Sequence, residues 1–135
     1  MIDRIREDTL HLMKIPGLSG HEEQVRSFIK EELKKNGLTP FFDKFGNITV
    51  TFPGAGPRVM LFTHMDQLGL IVRKIEDDGF LRFERVGGVP EKILPGLAIS
   101  AISKNGSALP GIIGIKSHHA TQPEEKYKVL PSGCK

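Results

Sequence analysis

The segment LFTHMDQLGLIV, residues 61–72, carries a histidine and an aspartate two positions apart within an otherwise apolar run. Side chains alternate between the two faces of a β-strand, so His64 and Asp66 are predicted to point to one side and Met65 to the other. A buried histidine that hydrogen-bonds a nearby carboxylate is a purely structural reading of the same pair. The surrounding sequence is needed to distinguish a structural from a functional role for the two residues.

The residues before the pair favour a functional reading. Arg58–His64 contains four consecutive apolar residues, which is typical of a strand covered on both faces by helices. In open α/β sheets, ligands bind at the carboxyl ends of such strands. We therefore expect His64 and Asp66 to lie at a strand end where a ligand can bind.

Two helices are predicted before this strand. The first covers residues 2–14, and Pro16 and Gly17 end it. The second begins with a capping box formed by Ser19 and Glu22 and ends at Gly37. Its apolar residues follow helical spacing: Val25, Phe28, Ile29 and Leu33.

The remaining elements have the period of strands. Phe41–Asp43 and Ile48–Phe52 are predicted to form a hairpin across a Gly-Asn turn. Later strands are short and separated by glycine-containing turns, which is typical of a small β-barrel or sandwich: Leu68–Ile75, Phe80–Val86, Ala98–Ile102 and Ile112–Ile115.

Composition excludes several classes of protein. The 135 residues suffice for a core and have a net charge of +3, with lysines scattered rather than interleaved with aromatics, so nucleic-acid binding is unsupported. Cys134 is the one cysteine, and neither a signal peptide nor a membrane span is recognisable. We expect a cytoplasmic protein without nucleic-acid or membrane partners.

Five ordered segments together resemble the opening third of the tetrahedral, glutamyl aminopeptidase-like family of dinuclear metallopeptidases, some members of which are named endoglucanase or cellulase. They are PGLSGHEEQVRSFI (16–29), DKFGNITV (43–50), VMLFTHMDQLGLIV (59–72), GFLRFERVGG (79–88) and GIIGIKSHHA (111–120). The resemblance covers almost the whole chain.

The resemblance implies a metal-dependent aminopeptidase that releases N-terminal residues from peptides. The complete enzyme would hold two divalent metal ions, zinc or cobalt, with His64 as a ligand of one and Asp66 as the catalytic-site carboxylate that orients its imidazole. Neutral imidazole suits both metals. This chain would carry at most one partial metal site.

The resemblance also implies a fold class and a domain organisation. Residues 1–73 would be the N-terminal part of an α/β, zinc-peptidase-like catalytic domain with two helices and sheet strands. Residues 74–131 would be an inserted, barrel-like all-β module that makes homo-oligomer contacts, and residues 132–135 a tail.

Two departures from the family pattern bear on function. The family usually has glutamate where this chain has Gln67, and its other metal ligands come from later segments. We therefore expect an N-terminal fragment that is inactive alone. The alternative is a non-catalytic assembly piece that associates through its β-module. Polysaccharide hydrolysis lacks a positioned pair of carboxylates.

Other candidate ligands receive simpler interpretations. Glu124–Glu125 is predicted to be a solvated surface pair, and Glu22–Glu23 to face the positive end of a helix dipole. His118 and His119 are adjacent and would point to opposite faces of a strand. His11 and His21 are predicted to be surface helix or cap positions.

Overall fold

A computed structural model describes residues 1–115, 119 and 121–123 of the chain. The chain has mixed helix and sheet and divides into two compact units, Met1–Gly69 and Leu70–Lys135. Unit 1 contains the two helices and a first pair of strands: α1 (Ile2–Leu12), α2 (Glu23–Lys35), β1 (Phe41–Phe42) and β2 (Ile48–Thr49). The other elements are β3 (Gly69–Ile75), β4 (Leu81–Val86), a 3-10 turn (Glu91–Ile93), β5 (Ala98–Ile102) and β6 (Ala108–Ile112).

Helix α2 has the predicted apolar face and the predicted stop, but not the predicted start. Val25 is buried, and Gly37, at φ +73°, follows the last turn. The Gly37 and Leu38 amides donate to the carbonyls of Lys34 and Leu33, at 2.9 and 3.0 Å, which is a Schellman motif. No side chain caps the first turn of α2. The predicted capping box is wrong because the Ser19 hydroxyl donates to Asp66 instead.

The predicted hairpin between β1 and β2 is confirmed, although its second strand ends at Thr49 and not at Phe52. Phe41 pairs with Thr49 and Phe42 with Ile48 in antiparallel register. Asp43 organises the turn: its Oδ1 accepts the Phe45 and Asn47 amides, both at 2.9 Å, and its Oδ2 accepts the Asn47 side-chain amide at 2.7 Å. The Asn47 side-chain bond is the main cause that holds the pKa of Asp43 below its ordinary value. The carboxylate is thus an ionised acceptor at the centre of the turn.

The loop between the helices is joined to residues 65–67. The Gln67 amide donates to the Gly17 carbonyl at 2.6 Å, and Leu18 and Gln67 form a parallel β-bridge. Gly17 is buried, and a Cβ atom there would lie 2.6 Å from Cγ2 of Val25, so this approach requires glycine. The Gln67 side chain also donates to the Leu12 carbonyl at 3.3 Å, at the end of α1.

The strand predicted over Arg58–His64 is wrong. The segment has no regular secondary structure, and its apolar side chains are exposed, with Leu61 at 93% and Phe62 at 87%. A strand covered on both faces needs neighbours that pair its backbone and cover its side chains. Within residues 1–115, 119 and 121–123 no strand pairs with this segment.

Unit 2 is rich in strands and has a small apolar core. In the described part, β3 pairs with β4, and β5 pairs with β6 in antiparallel register from Ala98–Ile112 to Ile102–Ala108. Val89, Leu94 and Ile113 are buried, and three half-buried residues pack against them: Leu70, Phe83 and Ile99. The predicted strands that became β3, β4 and β5 are confirmed to within a residue at each end.

The last predicted strand, Ile112–Ile115, is wrong in position. The paired segment is β6, Ala108–Ile112, and it includes Pro110 opposite Ser100. A tight turn sets this register, because the Ser103 amide donates to the Ser107 carbonyl at 2.9 Å and Gly106 has φ +84°. The Asn-Gly turn at 105–106 thus decides the register, while Pro110 and Gly111 continue the strand.

Neither described helix is long and apolar enough to cross a bilayer.

The turn at Asp43 generates a prediction about acid stability. Because the pKa of Asp43 is lowered in the folded state, its stabilising effect is present above the ordinary aspartate range of about pH 4 and is lost as the pH falls through the lowered pKa. We expect Asp43→Asn to lower the unfolding midpoint at neutral pH and to remove part of the acid dependence in urea titrations. Asp77→Asn is the matched control, and equal effects of the two substitutions would contradict the assignment.

Gln67 generates a second prediction. A glutamate at this position, as an ionised carboxylate, cannot donate to the Leu12 carbonyl, and it adds negative charge at the carboxyl end of α1. We expect Gln67→Glu to destabilise the protein by about 1 kcal/mol at neutral pH and by less at pH values where the carboxyl is protonated. Gln24→Glu, in the first turn of α2, adds the same charge and should leave the urea midpoint unchanged or raise it, whereas Gln67→Glu should lower it.

Candidate metal-ligand site

His64 and Asp66 contact each other as predicted, although no strand holds them. Nδ1 of His64 lies 2.9 Å from Oδ1 of Asp66 and 3.2 Å from the Asp66 carbonyl oxygen. The His64 side chain is 83% exposed and that of Asp66 is 38% exposed. The pair therefore forms in an extended loop, with the imidazole open to a ligand.

These contacts select the tautomer of the neutral imidazole. Both atoms facing Nδ1 are oxygens, and a carboxylate or carbonyl oxygen accepts but does not donate. Neutral His64 consequently carries its proton on Nδ1, which leaves the lone pair on Nε2. A metal-ligating histidine held by a carboxylate has this arrangement.

Ser19 completes the environment of Asp66. Its hydroxyl donates to Oδ2, so each carboxylate oxygen has its own donor, Ser19 on one side and His64 on the other. The hydrogen bond from Ser19 is the largest cause that lowers the pKa of Asp66 below its ordinary value, and the bond from His64 is the next. Asp66 is therefore ionised at neutral pH and able to hold the imidazole N–H.

The sequence did not identify Ser19 as part of the site, because its spacing to Glu22 matched a capping box. Glu22 instead has local partners: its Oε1 accepts the Gly20 amide at 2.6 Å, and its Oε2 lies 3.7 Å from the Arg26 guanidinium. No signal in the sequence pairs Ser19 with Asp66, which lies 47 positions away.

The other predicted histidine and glutamate positions lie elsewhere. His11 is an exposed residue of α1, as predicted, and it also stacks on Phe28 of α2 with ring centroids 4.5 Å apart. His21 is exposed, and Glu23 lies in the first turn of α2 as predicted. His119 is exposed. The predictions for His118, Glu124–Glu125 and Cys134 concern positions outside the described residues.

The donor set fits one ligand position of a zinc or cobalt site. A neutral imidazole with a carboxylate behind it is a typical ligand for either metal. A complete zinc site takes three or four protein ligands. Among the residues described, no three His, Cys, Asp or Glu side chains are grouped so that they could hold a metal ion.

Comparison with known proteins agrees with the resemblance seen in the sequence. The family model described as M42 glutamyl aminopeptidase matches residues 46–132. The chain is 35% identical over 125 residues to SgcX of Escherichia coli, covering 90% of this chain and 33% of that protein. The chain thus spans about a third of the length of this curated relative.

Solved structures give the same result. The TET1 peptidase of Pyrococcus horikoshii, which can assemble into a tetrahedron or a large octahedral shell, is 33% identical with a TM-score of 0.80, over 94% of this chain and 38% of that one. A TET aminopeptidase from a marine-sediment thaumarchaeon is 30% identical with a TM-score of 0.86, over 96% of this chain and 36% of that one. With the family model matching more than half of its residues, the chain belongs to the M42 glutamyl aminopeptidase family.

Proposed function

We propose that this chain supplies one metal ligand, His64, and its orienting carboxylate, Asp66, to a metal-dependent aminopeptidase that releases N-terminal residues from peptides. The observation that carries the proposal is the contact of 2.9 Å between His64 Nδ1 and Asp66 Oδ1 beside an exposed imidazole. Family membership supports the reaction class.

His64 would hold one of two divalent metal ions, zinc or cobalt, through Nε2. Such ions lower the pKa of a bound water and polarise the scissile carbonyl. Within this chain, Asp66 keeps the Nδ1 proton in place, so the ring presents a lone pair and cannot turn without losing that bond.

The described residues supply one ligand, so we further propose that these 135 residues alone are inactive as a peptidase. The relatives extend well beyond the matched region, since it covers about a third of SgcX. The remaining ligands would then come from segments that correspond to the rest of such a relative. A cytoplasmic location remains a prediction from composition.

The first test compares metal content and hydrolysis of leucyl and glutamyl peptides between the 135-residue chain and a version extended through the segments that the relatives contain. We expect turnover and about two metal ions per chain in the extended form only. In that form His64→Ala should lose about one bound metal ion per chain and almost all activity, because a metal site has only three or four protein ligands and one of them is removed.

His21→Ala is the matched control, because this histidine is also exposed and is not assigned to the site. Unchanged metal content in His64→Ala would remove the ligand assignment. Turnover by the 135-residue chain itself would show that it carries ligands not assigned to it above.

Assembly through the β-rich part is the second candidate function, with residues 74–131 as the proposed barrel-like module. Strands β5 and β6 contain no charged residue, and their exposed side chains include Ile102, Leu109 and Ile112. The β3–β4 pair differs, because it carries charged residues, including the ion pair of Arg73 with Glu84. Exposed apolar strands without charges are typical of surfaces that pair with another chain.

We expect the chain to self-associate in sedimentation velocity runs, with the sedimentation coefficient rising with concentration, and Leu109→Lys to abolish the rise by placing a charge on β6. Ile75→Lys, at an exposed apolar residue of β3, is the control and should retain association. A monomer at every concentration would exclude this candidate.

A further inference from the structure

The hydrogen bonds around Asp66 form a chain of three residues. Ser19 donates to one carboxylate oxygen, and the His64 ring N–H donates to the other at 2.9 Å. Ser19 and His64 lie 45 positions apart in the sequence, and Ser19 and Asp66 lie 47 apart. Ser19 thus reaches the imidazole only through the carboxylate.

The backbone on both sides holds this contact in place. The Gln67 amide donates to the Gly17 carbonyl at 2.6 Å, and Leu18 bridges to Gln67, so the residues that flank Ser19 and Asp66 are already paired. Gly17 is buried against Val25. The hydroxyl of Ser19 therefore faces Asp66 because of its main-chain surroundings, and not through a surface rotamer alone.

Asp66 needs such a partner to orient an imidazole. The terminal torsion of an aspartate is broad and roughly two-fold, so a half-exposed carboxylate held on one side only can rotate away from its partner. A hydrogen bond to the second oxygen restricts that rotation, and hydrogen bonds to a charged acceptor are the stronger kind. With both oxygens engaged, Oδ1 stays directed at Nδ1 of His64.

We propose that Ser19 is a positioning residue of the site: it fixes the Asp66 carboxylate, and through it keeps His64 in the Nδ1-protonated tautomer that presents Nε2 to a metal ion. The inference rests on the proposed ligand role of His64 for its functional consequence. The tautomer itself is a property of the metal-free protein and can be measured without that role.

The first experiment measures the His64 tautomer in the metal-free protein by long-range ¹H–¹⁵N NMR at an alkaline pH of about 8.5. We expect the Nδ1-protonated form to dominate in the parent and to fall by roughly half in Ser19→Ala, because the nitrogen that carries the proton is set by the hydrogen bond it makes. Ser19→Thr should restore it, since threonine retains the hydroxyl.

Ser27→Ala, at an exposed serine of α2, is the matched control and should leave the tautomer unchanged. If Ser19→Ala fails to fold, Ser19→Cys replaces it, because a thiol has a similar shape but donates weakly. A tautomer ratio equal to that of the parent in a folded Ser19→Ala or Ser19→Cys variant would overturn the inference.

The second experiment measures Zn²⁺ affinity of the extended protein by competition with a chromophoric chelator. Loss of a group that orients a ligand costs about 10- to 100-fold in metal affinity, and we expect Asp66→Asn to lose Zn²⁺ affinity by a factor in that range. Because Ser19 acts through Asp66, Ser19→Ala should lose roughly 3- to 10-fold in Zn²⁺ affinity. In the Asp66→Asn background, Ser19→Ala should have almost no further effect.

Additive effects of the two substitutions would show that Ser19 does not act through Asp66. The outcomes also separate the two proposals. If His64→Ala leaves Zn²⁺ affinity unchanged, the ligand assignment fails whatever Ser19 does. If His64→Ala abolishes binding while Ser19→Ala changes neither affinity nor tautomer, only the role of Ser19 fails.

Discussion

The contact between residues 17–19 and residues 65–67 is the constraint on which the candidate site depends. Its centre is the bond of 2.6 Å from the Gln67 amide to the Gly17 carbonyl, together with the bridge between Leu18 and Gln67. Glycine at position 17 permits the approach, because a side chain there would meet Val25. Without this contact, nothing in the described residues would place Ser19 beside Asp66.

The chemistry of the pair follows from that placement. An aspartate whose two oxygens both accept hydrogen bonds is ionised and has a fixed orientation, which makes it a suitable partner for an imidazole N–H. The proposed ligand His64 and the Ser19 hydroxyl that supports Asp66 thus come from two segments far apart in sequence. The exposed His64 ring has one defined lone pair, so the ring is preorganised and its orientation changes little when a ligand binds.

Elements with local signals were predicted well, and elements that need distant partners were not. Helix α2 and the β1–β2 hairpin follow from apolar spacing, Gly37 and the turn at Asp43, all of which act over a few residues. Arg58–His64 has the composition of a buried strand but lacks paired neighbours in the described chain. Composition states what a segment favours, whereas burial requires that other segments cover it.

The sequence by itself determined the family resemblance, the two helices, and the pairing of His64 with Asp66, because two residues so close in an extended chain can meet without help from elsewhere. Only the tertiary structure decided the hydrogen-bond partner of Ser19. Its spacing to Glu22 satisfied a local rule, and the competing partner, Asp66, lies 47 positions away. A hydroxyl donates to whichever acceptor the folded backbone brings within hydrogen-bond distance, and the neighbouring residues in the sequence do not predict which acceptor that is.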